Sequence, residues 1–208
     1  MCSRFENKET GLSVFEKFRK DSSGNFILEE TENLKQSSIA PTDDIIIIRK
    51  EKDTYRIQKS QWGIKFDNNP QSPLIFNSRI ETIMQKDYWT KLFRSNRCII
   101  PVTAFYEWKS DNGKKIPQRI SLNENLFFIL GIYTIIGGKF MSSLITTEPN
   151  DFMKLIHNRM PALTTFNNSL DFLNSSDDIA ISMCKPFESG RLMQIQIAEE
   201  LIKRKEQQ

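Results

Sequence analysis

Arg97-Cys-Ile-Ile-Pro-Val-Thr-Ala-Phe-Tyr-Glu-Trp-Lys109 is the stretch on which the reading of this chain turns. Cys98 to Val102 has the composition of a short buried strand. Pro101 is expected to end or kink it, because proline donates no hydrogen bond to a ladder. Ala104 to Trp108 predicts a second strand, with Glu107 set between Tyr106 and Trp108. A carboxylate held among aromatic rings is desolvated, which raises its pKa and lets it take and return a proton near neutrality. The same pattern also suits a glutamate facing solvent from an edge strand, with the two aromatics on the opposite face. Both readings stay open at this level.

Working outward, Ile45 to Ile48 is a wholly apolar β-branched run, and Thr54 to Gln58 alternates as its hairpin partner. Asp111-Asn112-Gly113 marks a hairpin turn. Pro117 to Leu122, Leu126 to Ile135 and Phe140 to Thr146 then predict three successive antiparallel strands, the last two joined at Gly137-Gly138. Ile179 to Met183 predicts a further strand. Leu12, Phe15 and Phe18 are spaced for an amphipathic helix over residues 10–20. Short helices are expected at Tyr88 to Phe93, at about Asn150 to Ile156 with Thr147 as a cap, and at Ser169 to Leu173. Asp67 to Pro73 is a polar loop, and Ala198 to Gln208 a polar helix or frayed tail. The expected fold is α+β: a single compact domain over residues 1–208 with antiparallel β-sheets and short peripheral helices.

The 208 residues are 38% hydrophobic and 26% charged, the balance of a folded soluble protein. A net charge of +3 is too mild to demand a nucleic-acid partner, so any basic footprint must be local. Cys2, Cys98 and Cys184 are widely separated, and His157 is the only histidine. No metal site and no cofactor is expected from that set, nor a disulfide framework, which fits a reducing compartment. The charged first twenty residues are unlike a secretory signal, and the apolar run Leu126 to Ile136 is short for a bilayer span. No membrane association is expected. The chain is read as cytoplasmic, nucleoid-associated if bacterial, and as a monomer.

Cys2 follows the initiator methionine, and its small side chain predicts removal of Met1. An N-terminal cysteine carries an α-amine with a pKa of about 7.7–8.0 and a thiol near ~8.5. The amine can condense with an aldehyde, and the thiol can then close a five-membered thiazolidine on the same carbon. The alternative is an ordinary cysteine in an unremarkable terminus.

Four pieces stand in a particular order: Met1-Cys-Ser-Arg-Phe5, Phe76-Asn-Ser-Arg-Ile-Glu-Thr82, the stretch Arg97–Lys109, and Ile145-Thr-Thr followed by Ile156-His-Asn-Arg-Met-Pro161. Together they resemble the SRAP family, the SOS response-associated peptidase domain, over residues 1 to about 173. The resemblance implies a barrel-like fold and a protein that binds single-stranded DNA containing abasic sites and crosslinks to it through the N-terminal cysteine as a thiazolidine. It implies Cys2 as nucleophile, Asn77 as the residue that positions it, Glu107 as the proton-transfer group that helps open the sugar ring, and His157 as an aid to Schiff-base chemistry. It implies Arg79 at the DNA backbone, with Arg4 and Arg159 as further contacts, and Trp62 supporting the DNA platform or stacking on a base. The chain departs from the family pattern at Ser3, at Ser38, after Trp62-Gly63 and in its shorter end.

Each residue also has a plainer reading. His157 suits a helix C-terminus, Arg79 could pair with Glu81 on the surface, and Asn77 could simply end a strand. At the level of the whole chain, the alternatives to abasic-site crosslinking, with a possible lyase side activity, are a self-processing cysteine peptidase and a non-catalytic single-strand-binding module.

Overall fold

A computed structural model describes residues 2–34, 36–66, 71–188, 193–199 and 201. Its strands are β1 (Phe5–Glu6), β2 (Asn25–Leu28), β3 (Asp44–Glu51), β4 (Thr54–Trp62), β5 (Asn77–Arg79), β6 (Arg97–Val102), β7 (Ala104–Asp111), β8 (Lys114–Leu122), β9 (Phe127–Ile136), β10 (Lys139–Thr147), β11 (Met160–Pro161), β12 (Leu163–Thr164) and β13 (Met193–Ile197). Its helices are α1 (Gly11–Asp21), α2 (Ile80–Ile83), α3 (Asp87–Ser95), α4 (Asp151–Lys154), α5 (Phe166–Ser169), α6 (Asp171–Asn174) and α7 (Asp177–Met183).

Five strands close into a barrel. β3 and β4 form a hairpin paired from Asp44↔Gln61 to Glu51↔Thr54. β6 lies against β3 at Cys98 and Ile99, β9 against the whole of β6, and β10 against β9. The ring closes where β10 runs parallel to the end of β4, at Met141↔Gln61 and Ser142↔Trp62. β2 and β5 add parallel partners to β4 and β10; apart from these two and the β4–β10 closure, the pairings are antiparallel. A second sheet, in the order β1-β7-β8-β13, packs beside the barrel.

The run Ile45–Ile48 is apolar throughout because both of its faces are buried. Ile47, Trp62, Ile100, Ile129 and Leu144, one from each barrel strand, share a single cluster, which is the barrel interior. Ile46 and Ile48 point the other way, into a cluster with Val14 and Phe18 of α1 and Phe93 of α3. Gly63 lets β4 leave the barrel: its φ is +118°, and a Cβ there would lie 2.7 Å from the Leu74 side chain.

Several elements differ from expectation. Pro101 does not stop β6, which runs on to Val102; no β3 residue pairs with Pro101, so no ladder bond on that edge is left unmade. β8 and β9 belong to different sheets. In α1 the buried stripe is Gly11, Val14 and Phe18, while Leu12 faces solvent. Asn150, not Thr147, caps α4, accepting from the Met153 N–H. Residues 177–183 form a helix rather than a strand, with Asp177 and Asp178 in its first turn. β2 and β13 lie in segments read as loop or left unassigned. Asp67–Pro70 and most of the expected C-terminal tail lie outside the described residues. Among the described residues no helix is long and apolar enough to cross a membrane.

Candidate active site

The N-terminal segment is threaded between β7 and an isolated bridge at Ile39. Phe5 pairs with Phe105 of β7 and exchanges hydrogen bonds with Ile39 at 3.1 and 2.9 Å. The Tyr106 N–H donates to the Arg4 carbonyl at 2.9 Å. This carries Cys2 into the core, where it is 1% exposed. Its thiol donates to the Arg4 carbonyl at 3.5 Å. Its own carbonyl accepts from Asn77 Nδ2 at 2.7 Å. Asn77 opens β5, held in register by Leu144 of β10, and its Oδ1 is buried without a protein partner.

Glu107 sits mid-strand on β7, opposite Gln118 of β8, and is 1% exposed. The buried alternative is therefore the one realised. His157 follows α4, and its Nε2 lies 3.9 Å from Glu107 Oε2. Its Nδ1 accepts the Arg159 N–H at 3.0 Å. In the neutral ring the proton then resides on Nε2, facing the carboxylate. Cys2, Asn77, Glu107 and His157, one from each of the four sequence pieces, thus meet at one place.

Burial sets the charges there. It pushes the Glu107 carboxyl up to about 7. It pushes the Cys2 thiol well up, and the Glu107 charge adds to the effect. It pushes His157 down. Near neutrality the thiol and imidazole are uncharged, while the carboxyl is poised to take or give a proton.

The four residues expected on a nucleic-acid face are placed differently from one another. Arg79 ends β5 and is exposed. Arg159 is committed: both of its terminal nitrogens reach the Glu81 carboxylate at 2.9 Å, and one also donates to the Thr146 carbonyl at 2.8 Å. Hydrogen bonding from Arg159 holds the Glu81 carboxyl below its usual range. The pair fastens the His157 loop to β10 and α2. Glu81 therefore pairs with Arg159, not with its neighbour Arg79. Arg4 donates from Nη1 to Ser38, through the hydroxyl and through the carbonyl at 3.4 Å. Trp62 is 0% exposed and donates its indole N–H to the Phe76 carbonyl at 2.9 Å. It offers no face to a stacking base, and supports the surface only from beneath.

Nothing in the sequence singled out Glu6 and Arg119. Glu6 is buried behind β7, where it accepts from Tyr106 Oη at 2.8 Å and Thr103 Oγ1 at 3.2 Å and pairs with Arg119. Burial raises its pKa, but the bonds from Arg119 and Tyr106 win and hold the carboxyl below its usual range. The two buried carboxylates thus diverge: Glu6 is fixed as a structural anion, and Glu107 is kept near neutrality. Among the described residues no group of three or more His, Cys, Asp or Glu could hold a metal ion.

The family model described as SOS response associated peptidase (SRAP) matches residues 1–203. The chain belongs to the SRAP family. It is 33% identical over 212 residues to the abasic site processing protein YoqW of Bacillus subtilis (strain 168), across 95% of this chain and 92% of that one. It is 32% identical to the abasic site processing protein YoaM of the same organism, across 95% and 91%. The SRAP fold is shared by a solved protein from Bacteroides thetaiotaomicron, with a TM-score of 0.81 and 22% identity over 97% of this chain and 94% of that one.

Proposed function

We propose that this protein processes abasic sites, binding single-stranded DNA that carries one and joining it covalently through Cys2. The observation that carries the reading is the placement of Asn77 and Glu107 on Cys2, with His157 beside Glu107, in a chain whose relatives are named abasic site processing proteins. Removal of Met1 gives Cys2 a free α-amine beside its thiol. Glu107 moves a proton from the sugar's 1′-hydroxyl to its ring oxygen, opening the ring to the aldehyde. The amine adds to C1′, and the carbinolamine loses one water to give the imine, with His157 relaying the proton to the departing hydroxyl. The thiol then adds across the C=N bond: sulfur bonds C1′, the thiol proton passes through Glu107 to nitrogen, and the thiazolidine closes. One water leaves and nothing is oxidised or reduced. Asn77, bound to the Cys2 carbonyl, holds the backbone so that amine and thiol address the same carbon.

The imine can instead lose its 3′ phosphate by β-elimination, which makes strand cleavage a competing side reaction. A general peptidase role fits less well, because a buried thiol with a raised pKa is a poor peptide nucleophile. In the proposed chemistry the protein works as a monomer and needs neither metal nor cofactor.

The test is a uracil-containing single strand converted to an abasic site and incubated with the protein, then run on a denaturing gel. The expected result is a band shifted by the mass of one chain. It is absent with intact DNA and with Cys2→Ala. A peptidase would leave the DNA unshifted. A binding module would keep full activity in Cys2→Ala.

A further inference from the structure

Trp62 lies wholly in the core, but aromatic surface appears a few residues further along the chain. Phe66 follows the bridge between Ile64 and Ile75, and Tyr88 and Trp89 stand in the first turn of α3. The three rings form one cluster. Phe66 meets Tyr88 at 5.0 Å and Trp89 at 5.7 Å between centroids, and Tyr88 meets Trp89 at 5.6 Å. All three contacts are edge-to-face, at 73° to 86°, so the rings do not cover one another's faces. Trp89 anchors the group to the core, while Phe66 and Tyr88 remain 44% and 45% exposed. A contiguous aromatic patch left open on a folded protein marks a contact surface.

Two further features indicate what covers it. Its surround is basic: Lys86 and Lys91 are exposed and Lys65 half-exposed, against Asp87 as the acidic residue of α3. It also adjoins the candidate active site. Phe66 lies two residues beyond Ile64, and Asn77 lies two beyond Ile75 in the opposite direction. That offset spans at most about 13 Å of extended backbone, roughly four nucleotides at the ~3.4 Å spacing of a stacked strand. Thr90 Oγ1 donates to the Ile83 carbonyl at 2.8 Å, docking α3 on the helix that begins directly after Arg79.

We propose that Phe66, Tyr88 and Trp89 are a stacking platform for the bases that flank the abasic nucleotide. The proposal rests on the reading of Cys2 as an abasic-DNA site. An abasic nucleotide has no base to grip, so its strand must be held by phosphates and neighbouring bases. Stacking suits any sequence, since every base has a π-face. The platform uses residues outside the four sequence pieces, just past the point where the chain departs from the family pattern at Ile64.

The experiment is fluorescence anisotropy with the full chain on two labelled strands of equal length. One is oligothymidylate; the other is a base-free strand built wholly of tetrahydrofuran nucleotides. The double variant Phe66→Ala/Tyr88→Ala is expected to lose about 5- to 100-fold in affinity for oligothymidylate, with far less change on the base-free strand. Phe66→Leu/Tyr88→Leu, which keeps apolar bulk, is expected to lose affinity in the same strand-selective way. Equal losses on both strands, or none on either, would overturn the platform. So would a wild-type dimer that the double variant splits, because the patch would then be a self-interface. A wild type that crosslinks abasic DNA while the variants bind normally removes the platform alone. A wild type that neither binds nor crosslinks removes the abasic-site reading and the platform with it.

Discussion

Replacing Glu107 by glutamine should make the protein more stable at alkaline pH while disabling it. In the native state burial pushes this carboxyl from its ordinary 4.5 up to about 7. At ~1.4 kcal/mol per pH unit, the difference is on the order of 3 kcal/mol. The raised value gives the effect its sign. Between the unfolded and native pKa values, the native state holds a proton that the unfolded chain has released, so stability falls as pH rises through that window. It is full below about pH 4 and carries the whole cost above about pH 7. Glutamine is neutral throughout. Near pH 8, Glu107→Gln should therefore melt higher by roughly 6–12 °C, taking ~2–4 °C per kcal/mol for a chain of this size. The gap should close as pH falls below about 4, where the parent's carboxyl is largely protonated in both states. Thermal unfolding followed by circular dichroism across that range checks it. In the crosslinking assay the same variant should be slower by about 10²- to 10⁴-fold. A glutamine variant no more stable than its parent at pH 8, or a gap independent of pH, would refute the buried, proton-holding carboxyl.

Further outcomes follow from the same geometry. Asn77→Ala removes the 2.7 Å bond to the carbonyl of buried Cys2. It should slow crosslinking by about 5- to 150-fold, the equivalent of ~1–3 kcal/mol, and lower the melting temperature as well, because that carbonyl is left unpaired. Arg79→Ala should weaken single-strand binding and lower the salt slope of log K by about one, as anisotropy at several salt concentrations would show. Glu81→Gln loosens the clamp on the His157 loop. It should slow crosslinking at saturating DNA and alter its pH profile, because Arg159 then no longer fixes the imidazole. Trp62→Ala empties part of the barrel interior and should cost about 3–5 kcal/mol of stability, read from denaturant unfolding.

The sequence was most legible where one physical signal dominated. The β-branched run at Ile45–Ile48 and the Asp111-Asn112-Gly113 turn become β3 and the β7–β8 hairpin, with Asn112 and Gly113 both at positive φ. Ile179–Met183 misleads because five mostly apolar residues suit a short strand or a buried helix turn equally. The ring closure between β4 and β10 has no local trace at all, since it joins Gln61 to Met141. The active-site cluster was legible only as four motifs in order; no periodicity links Cys2 with His157. The arginines show the limit of proximity along the chain. Glu81 was set against Arg79, but its hydrogen-bonded partner is Arg159, 78 residues away. The resemblance left Trp62 either supporting the DNA platform or stacking on a base; Gly63 beside it allows β4 to end with its indole in the core.

The central claim is that both nucleophiles of Cys2 end on one carbon, and a single mass measurement addresses it. The adduct with an abasic strand is denatured, treated with iodoacetamide and weighed intact. The account predicts the chain lacking Met1, plus the strand, minus one water, with labels on Cys98 and Cys184 but none on Cys2. A third label on Cys2 would mean an open imine with a free thiol. No adduct from protein whose N-terminus is confirmed as Cys2 would contradict the account outright.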